Sequence, residues 1–211
     1  MSFAKNPKRT GHRKPAIPVP YVSTWSGEIR DDRDLQVDTL GISYLPPRPT
    51  DRDNRDVLWA RYSSRPGRGR PDLGLVHPQR QRRAMELLLC QVSGKPADVD
   101  ERGVLWLLED RRDDWAEWPN GLETTHPPMS RAGVEPSLRW CPHLRRGAVT
   151  VRVAASVVTG VYGTLWSIDP RTRTTSSTAK SLTFDSPLLP WMQARQLVRT
   201  LHGCTIVNDE P

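Results

Sequence analysis

Residues Cys90–Glu109 read CQVSGKPADVDERGVLWLLE. The first part, Cys90-Gln91-Val92-Ser93-Gly94, sets a thiol and a hydroxyl three positions apart ahead of a glycine. Glycine reaches left-handed backbone angles at no steric cost, so the chain is expected to turn back here with its amides facing positions 90 and 93. The second part, Gly103–Glu109, is an apolar run of strand length. Further on, Pro127-Pro128-Met129-Ser130-Arg131-Ala132-Gly133 repeats the three-residue spacing with Ser130 and Gly133 at the start of a helical stretch. Turn, strand, loop, and second turn entering a helix make an α+β unit.

Working outward, His77-Pro78 followed by QRQRRAMELLL predicts a helix, with proline at its first position and Ala84, Met85, Leu88 and Leu89 on one side. Tyr21–Trp25, Leu35–Tyr44 and Val57–Tyr62 read as strands, and Ser137–Trp140 as a short helix. Ala148–Trp166 predicts a hairpin turning at Ala155-Ser156 or Thr159-Gly160, and Thr172–Thr178 a polar loop. After Pro190, the residues Trp191, Ala194, Leu197, Val198 and Leu201 recur at helical spacing, and Gly203 supplies a stop. A last strand is expected at Cys204–Val207. The expected fold is α+β: a small mixed or antiparallel sheet with two main helices. One domain is expected over residues 21–208, with a first unit at about 78–141 and a hairpin and helix at about 147–207.

Thirty-one Lys and Arg against twenty-four Asp and Glu leave a net charge of +7 over 211 residues. That balance favours a polyanionic partner, either nucleic acid or a protein already bound to it. Arginine-rich, isoleucine-poor usage also follows from GC-rich coding, which accounts for part of the excess. No apolar stretch is long enough to span a bilayer and the start lacks a signal-peptide pattern, so a cytoplasmic protein with no membrane partner is expected. Three cysteines cannot close a disulfide framework, in keeping with a reducing compartment. Residues 1–20 carry Lys5, Lys8, Arg9, Arg13 and Lys14 with four prolines and no acid, and read as a disordered basic arm.

In this layout of knuckle, strand, loop and second knuckle at a helix start, Cys90–Cys141 resembles a treble-clef zinc finger, and more loosely proteins of GC-rich bacteria and their phages. The resemblance implies a treble-clef-like unit, but only Cys90 of the four expected ligands is present; Ser93, Ser130 and Gly133 stand at the others. Neutral serine and glycine cannot replace thiolates on Zn²⁺, so no cofactor is expected. The one substitute metal set is Cys90, His126, Cys141 and His143, with a nonstandard spacing.

Other candidates are electrostatic or aromatic. Arg68-Gly69-Arg70-Pro71 matches the core of an AT-hook, in which two arginines enter a narrow minor groove. Arg80, Arg82 and Arg83 lie in the first turns of the expected helix, where an external anion would offset their clash with the helix dipole. Trp115 and Trp118, in a polar loop, are candidates for a protein contact. Glu109, Asp110, Asp113, Asp114 and Glu117 could serve a metal-dependent nuclease or hydrolase, but the interleaved Arg111 and Arg112 favour a self-neutralised loop. With no P-loop, dinucleotide fingerprint or nucleophile elbow, the expectation is not an enzyme but a small accessory or regulatory protein binding nucleic acid or a nucleic-acid-bound complex. The alternative is a protein-interaction adaptor without nucleic-acid contact.

Overall fold

The computed structural model describes residues 18–169 and 171–207. Lys5, Lys8, Arg9, Arg13 and Lys14, with nearly all of the expected arm, lie outside the described residues. In chain order the elements are β1 (Ser23–Trp25), β2 (Leu35–Val37), β3 (Ile42–Tyr44), β4 (Leu58–Trp59), β5 (Pro71–Val76), α1 (Pro78–Glu86), β6 (Val99–Asp100) and β7 (Gly103–Glu109). There follow β8 (Glu123–Thr124), α2 (Arg131–Trp140), a 3-10 turn (Pro142–Arg146), β9 (Ala148–Ile168), β10 (Thr175–Thr183), a second 3-10 turn (Leu189–Trp191) and β11 (Met192–Ile206).

The two longest strands, β9 and β11, pair antiparallel from Leu165 opposite Met192 to Val151 opposite Ile206. On the other edge of β9, β7 takes the first half and β10 the second. On the other edge of β11, β4 pairs parallel at Gln193–Ala194 and β8 antiparallel at Arg199–Thr200. β6 completes a main sheet of seven strands among the described residues, while β1–β5 and β2–β3 form separate ribbons. The α+β expectation holds, with two α-helices and a mostly antiparallel sheet.

Two expectations fail for identifiable reasons. The stretch after Pro190 is strand β11 and not a helix. Its register shifts between Ala194 and Gln196, so one extra residue lets Ala194 and Leu197, three apart, face the same apolar cluster as Val57, Met85 and Val161. A bulge has imitated the helical step. Likewise, Ala148–Trp166 is not a hairpin but part of the single strand β9, whose hairpin partner is β10. Thr175–Thr178, expected as loop, therefore belongs to a strand. Gly160 and Gly163 mark places where neighbouring chain comes close: a Cβ would lie 2.2 Å from the Leu182 carbonyl and 2.1 Å from that of Gln193, respectively.

Between its contacts with β4 and β8, the outer edge of β11 is closed by a side chain. Gln81 of α1 is fully buried; its Oε1 accepts from the Leu197 amide at 2.9 Å and its Nε2 donates to the Leu197 carbonyl at 3.0 Å and to Thr125 O at 2.7 Å. The amide thus acts as one missing residue of a β-ladder. Arg199 adds a bond from its Nε to Met85 O at 2.9 Å. Replacing Gln81 with Leu strands three backbone groups in a dry interface and is expected to cost on the order of 3 kcal/mol, read as a lower denaturation midpoint with an unchanged m-value.

Candidate functional site

The two segments singled out in the sequence come together. Cys90 N donates to Lys95 O at 2.7 Å and Gly94 N to Cys90 O at 2.8 Å, closing the expected turn. Gln91 N donates to Pro128 O at 3.0 Å and Asp98 N to Met129 O at 2.9 Å, tying that turn to the segment that enters α2. At the junction Ser130 Oγ donates to Cys90 Sγ at 3.3 Å. A Cβ on Gly133 would sit 3.2 Å from that sulfur and 3.4 Å from Ser130 Oγ. Cys90, Ser93, Ser130 and Gly133 therefore stand at the corners of one small volume. Burial pushes the Cys90 thiol up, and hydrogen bonds from Ser130 and Ser93 outweigh it, holding the thiol below its ordinary value. Cys204, with burial alone, is pushed up to about 11.

Tetrahedral zinc with thiolates at 2.3 Å needs sulfurs about 3.8 Å apart, and Ser130 Oγ and Cys90 Sγ stand at 3.3 Å. The donors do not fit the ion, however: one thiol, two hydroxyls and one position without a side chain. The substitute set of Cys90, His126, Cys141 and His143 is not brought together, since among the described residues no three His, Cys, Asp or Glu side chains converge on one point.

A second centre is built on Glu28, whose side chain is shut off from solvent. Its carboxylate accepts from Arg80 at 2.6 and 2.7 Å, from the Arg65 amide at 2.8 Å and from the Trp25 amide at 2.9 Å. Burial raises this carboxyl, but Arg80 and the two amides overcome it and hold the pKa at about 2. Buried His77 lies 3.8 Å away, edge-on to Tyr62, and is kept below the usual histidine value by burial and by the Arg80 charge. Arg80 is thereby spent inside the molecule and is not a surface contact. The anion that offsets its position at the start of α1 is Glu28, from the chain itself.

Glu28 also fixes the loop carrying the arginine-glycine-arginine-proline segment. Arg68 O accepts from Gly27 N at 3.0 Å, Arg70 O from Ser26 N at 2.8 Å, and Ser26 Oγ from Arg70 N at 3.0 Å. Gly69 has φ +89°, and a Cβ there would meet Ser26 Oγ at 2.3 Å, so only glycine fits. The segment is a turn pinned beside β1 and not the free extended piece a minor-groove hook requires. The side chains of Arg65, Arg68 and Arg70 remain exposed.

The other expected contacts divide. Arg82 bonds Glu86 at 2.9 Å and lies 4.6 Å over the Trp59 ring, whereas Arg83 is exposed. Trp118 is core, packed with Trp106 and Val149, which removes it from the protein-contact pair. Trp115 is 39% exposed, with its Nε1 donating to Asn120 O at 3.3 Å. The acidic loop neutralises itself through Arg111 with Glu109 at 2.9 Å and Arg112 with Asp110 at 2.8 Å. A further basic group was missed: Arg139, His143, Arg145 and Arg146, all exposed at the end of α2 and on the turn that follows. Its sequence signal is RWCPHLRR, inside a stretch without an acid from Pro136 to Ile168. No protein-family model matches the chain, and neither a curated protein nor a solved structure does.

Two outcomes are expected. The variant S93C/S130C/G133C should bind cobalt(II) with the intense thiolate absorption of a tetrahedral site and gain thermal stability with zinc, while the natural chain does neither; absence of that absorption in the variant would show that the corners are misplaced. Because the Glu28 pKa falls from 4.5 to about 2 on folding, its stabilisation is complete above pH 4.5 and is lost as pH drops through 2. The integrated contribution is on the order of 3 kcal/mol. E28Q should be less stable at neutral pH and show a shallower loss of unfolding free energy between pH 4.5 and 2, measured by urea titration.

Proposed function

We propose that the chain is a non-enzymatic accessory or regulatory protein that binds nucleic acid, or a protein already on nucleic acid, by phosphate contacts. The finer reading of its fold is a treble-clef-like unit over about 78–141 in which hydrogen bonds between Ser130, Ser93 and Cys90 stand where metal ligands would. The observation that carries the functional reading is the partition of the arginines. Many are matched to carboxylates within the molecule, as Arg61 is to Asp51 at 2.8 Å and Arg152 to Asp100 at 3.1 Å. By contrast, Arg65, Arg68, Arg70, Arg139, Arg145 and Arg146 are exposed and their guanidinium groups have no carboxylate within 4.0 Å among the described residues. A charge already paired inside offers little to an outside anion, so among the described residues the cations open to a polyanion include these exposed arginines.

The adaptor reading has its own support in Ile29, Leu73 and Leu75, which are 65, 53 and 54% exposed on and beside the β1–β5 ribbon. Salt dependence separates the two. If about five phosphates are neutralised, a fourfold rise in salt should weaken binding to duplex DNA or RNA by about 500-fold. Fluorescence anisotropy over a salt series measures this, and a nearly flat dependence favours the adaptor.

A further inference from the structure

We propose that the corner formed by the end of α2 and the following 3-10 turn, with Arg139, His143, Arg145 and Arg146, is the principal docking surface for the sugar-phosphate backbone of double-stranded DNA; this rests on the nucleic-acid reading above. The corner is held by packing from beneath. Leu144 turns inward onto the cluster of Cys90, Leu105, Leu107 and Met129, and Cys141 N donates to Ser137 O at 2.9 Å at the end of α2. With Leu144 inward, His143, Arg145 and Arg146 are left outward, and Arg139 joins them from the last helical turn.

Among the described residues these side chains have few competing anions. Glu135, four residues before Arg139, makes no ion pair with it within 4.0 Å. Asp110 approaches through its backbone, its amide donating to Gly147 O at 3.1 Å, but its carboxylate is held by Arg112 and that of Glu109 by Arg111. The acidic loop then returns on the opposite face of β7: Trp118 packs with Trp106 and Leu108, whereas Leu144 packs with Leu105 and Leu107. Alternation along the strand thus places the basic corner and the Trp118 side of the loop on different sides of the sheet.

Shape and chemistry select the partner. From Arg139 to Arg146 the chain covers roughly 10–14 Å at helical and 3-10 rises, along which duplex DNA carries about six to eight phosphate charges. Of the two rings at the corner, Trp140 is half-buried and has the Arg139 guanidinium over it at 5.2 Å, while exposed His143 offers only a small imidazole. A covered ring is no platform for an unpaired base, so contacts fall on phosphates and a duplex is preferred to a single strand.

The test uses the full chain and a labelled duplex of about 20 base pairs across a salt series, comparing R139Q/R145Q/R146Q with the charge-matched control R171Q/R173Q/K180Q. Arg171, Arg173 and Lys180 are exposed on the β9–β10 arm, so the control removes equal charge elsewhere. The corner variant should lose roughly 30-fold or more in affinity at low salt, and its log–log salt slope should become shallower by about 2.7, with a much smaller change in the control. R139K/R145K/R146K should retain binding, which guards against loss of fold in the glutamine variant. Equal effects in corner and control variants, or tighter binding of a single strand of the same length, would overturn the proposal. If R65Q/R68Q/R70Q abolishes binding while the corner variant is unaffected, the nucleic-acid reading stands and this assignment falls. If the wild-type chain binds neither duplex DNA nor duplex RNA at low salt, both fall.

Discussion

The outer edge of β11 is the constraint from which the rest of the arrangement follows. One edge of this strand is fully engaged by β9, while β4 and β8 each take two residues of the other. What remains would be a buried gap in the ladder, and unpaired backbone groups in such a gap are costly. Gln81 fills it with an amide that both donates and accepts, and in doing so fixes α1 across the strand. Once α1 is fixed, Arg80 near its start meets Glu28, which in turn holds the Arg65 amide and the exposed arginine loop. The far end of α1 leads directly into the Cys90 turn. Both basic surfaces are therefore tied, through short chains of named contacts, to one buried glutamine.

Arginine does two different jobs in this molecule, and separating them requires the fold. Arg61 reaches Asp51 twice at 2.8 Å, bonds Pro46 O and lies 4.1 Å over the Tyr44 ring; here the guanidinium is a structural fork joining loops. Buried pairs of this kind are weak evidence of net stability, yet removing one partner leaves an uncompensated charge. Several pairs are visible in the sequence as an acid two residues before an arginine, as with Asp100 and Arg102 or Glu109 and Arg111. Arg65, Arg68, Arg70, Arg139, Arg145 and Arg146, exposed and without a carboxylate on the guanidinium among the described residues, fall in acid-free stretches, at 57–71 and 136–168. The rule has exceptions: Arg61 and Arg152 lie in those same stretches but are buried and paired by tertiary contacts. Arg80 and Arg82, in the acid-free stretch 73–85, are likewise claimed by Glu28 and by Glu86.

How much was legible depended on whether the deciding contact is local. The Cys90 turn, the strand after it and the helix at Pro78 rest on nearby residues and are present as expected. β11 was misread because its bulge, set by pairing with β9, puts Ala194 and Leu197 on one cluster at a helical interval. β9 was divided because Gly160 resembles a turn residue, when its missing Cβ instead makes room for the Leu182 carbonyl. Trp118 looked available in a polar loop, and only the sheet behind it shows that it is core. For the candidate site, the corner positions of the knuckle were legible from spacing alone. The corner at Arg139–Arg146 was not, because its significance lies in Leu144 turning inward and in having no carboxylate paired with it among the described residues.

The knuckle raises the question of what orients α2 if no metal does. A structural zinc site is worth about 10–16 kcal/mol in small domains, whereas a hydrogen bond such as Ser130 to Cys90 contributes about 1 kcal/mol. The difference must come from packing, and the third apolar cluster supplies it: buried Cys90, Leu105, Leu107, Met129 and Val207, with Val134 of α2 and Leu144 of the following turn against them. Burying side chains of this size contributes about 1.5–3 kcal/mol each, so the cluster as a whole outweighs the single hydrogen bond by far. In this setting Cys90 acts chiefly as a small apolar side chain, and Gly133 lets α2 approach it closely. The same cluster seats the turn after α2 through Leu144, so the direction in which Arg139, Arg145 and Arg146 point is set by the apolar core.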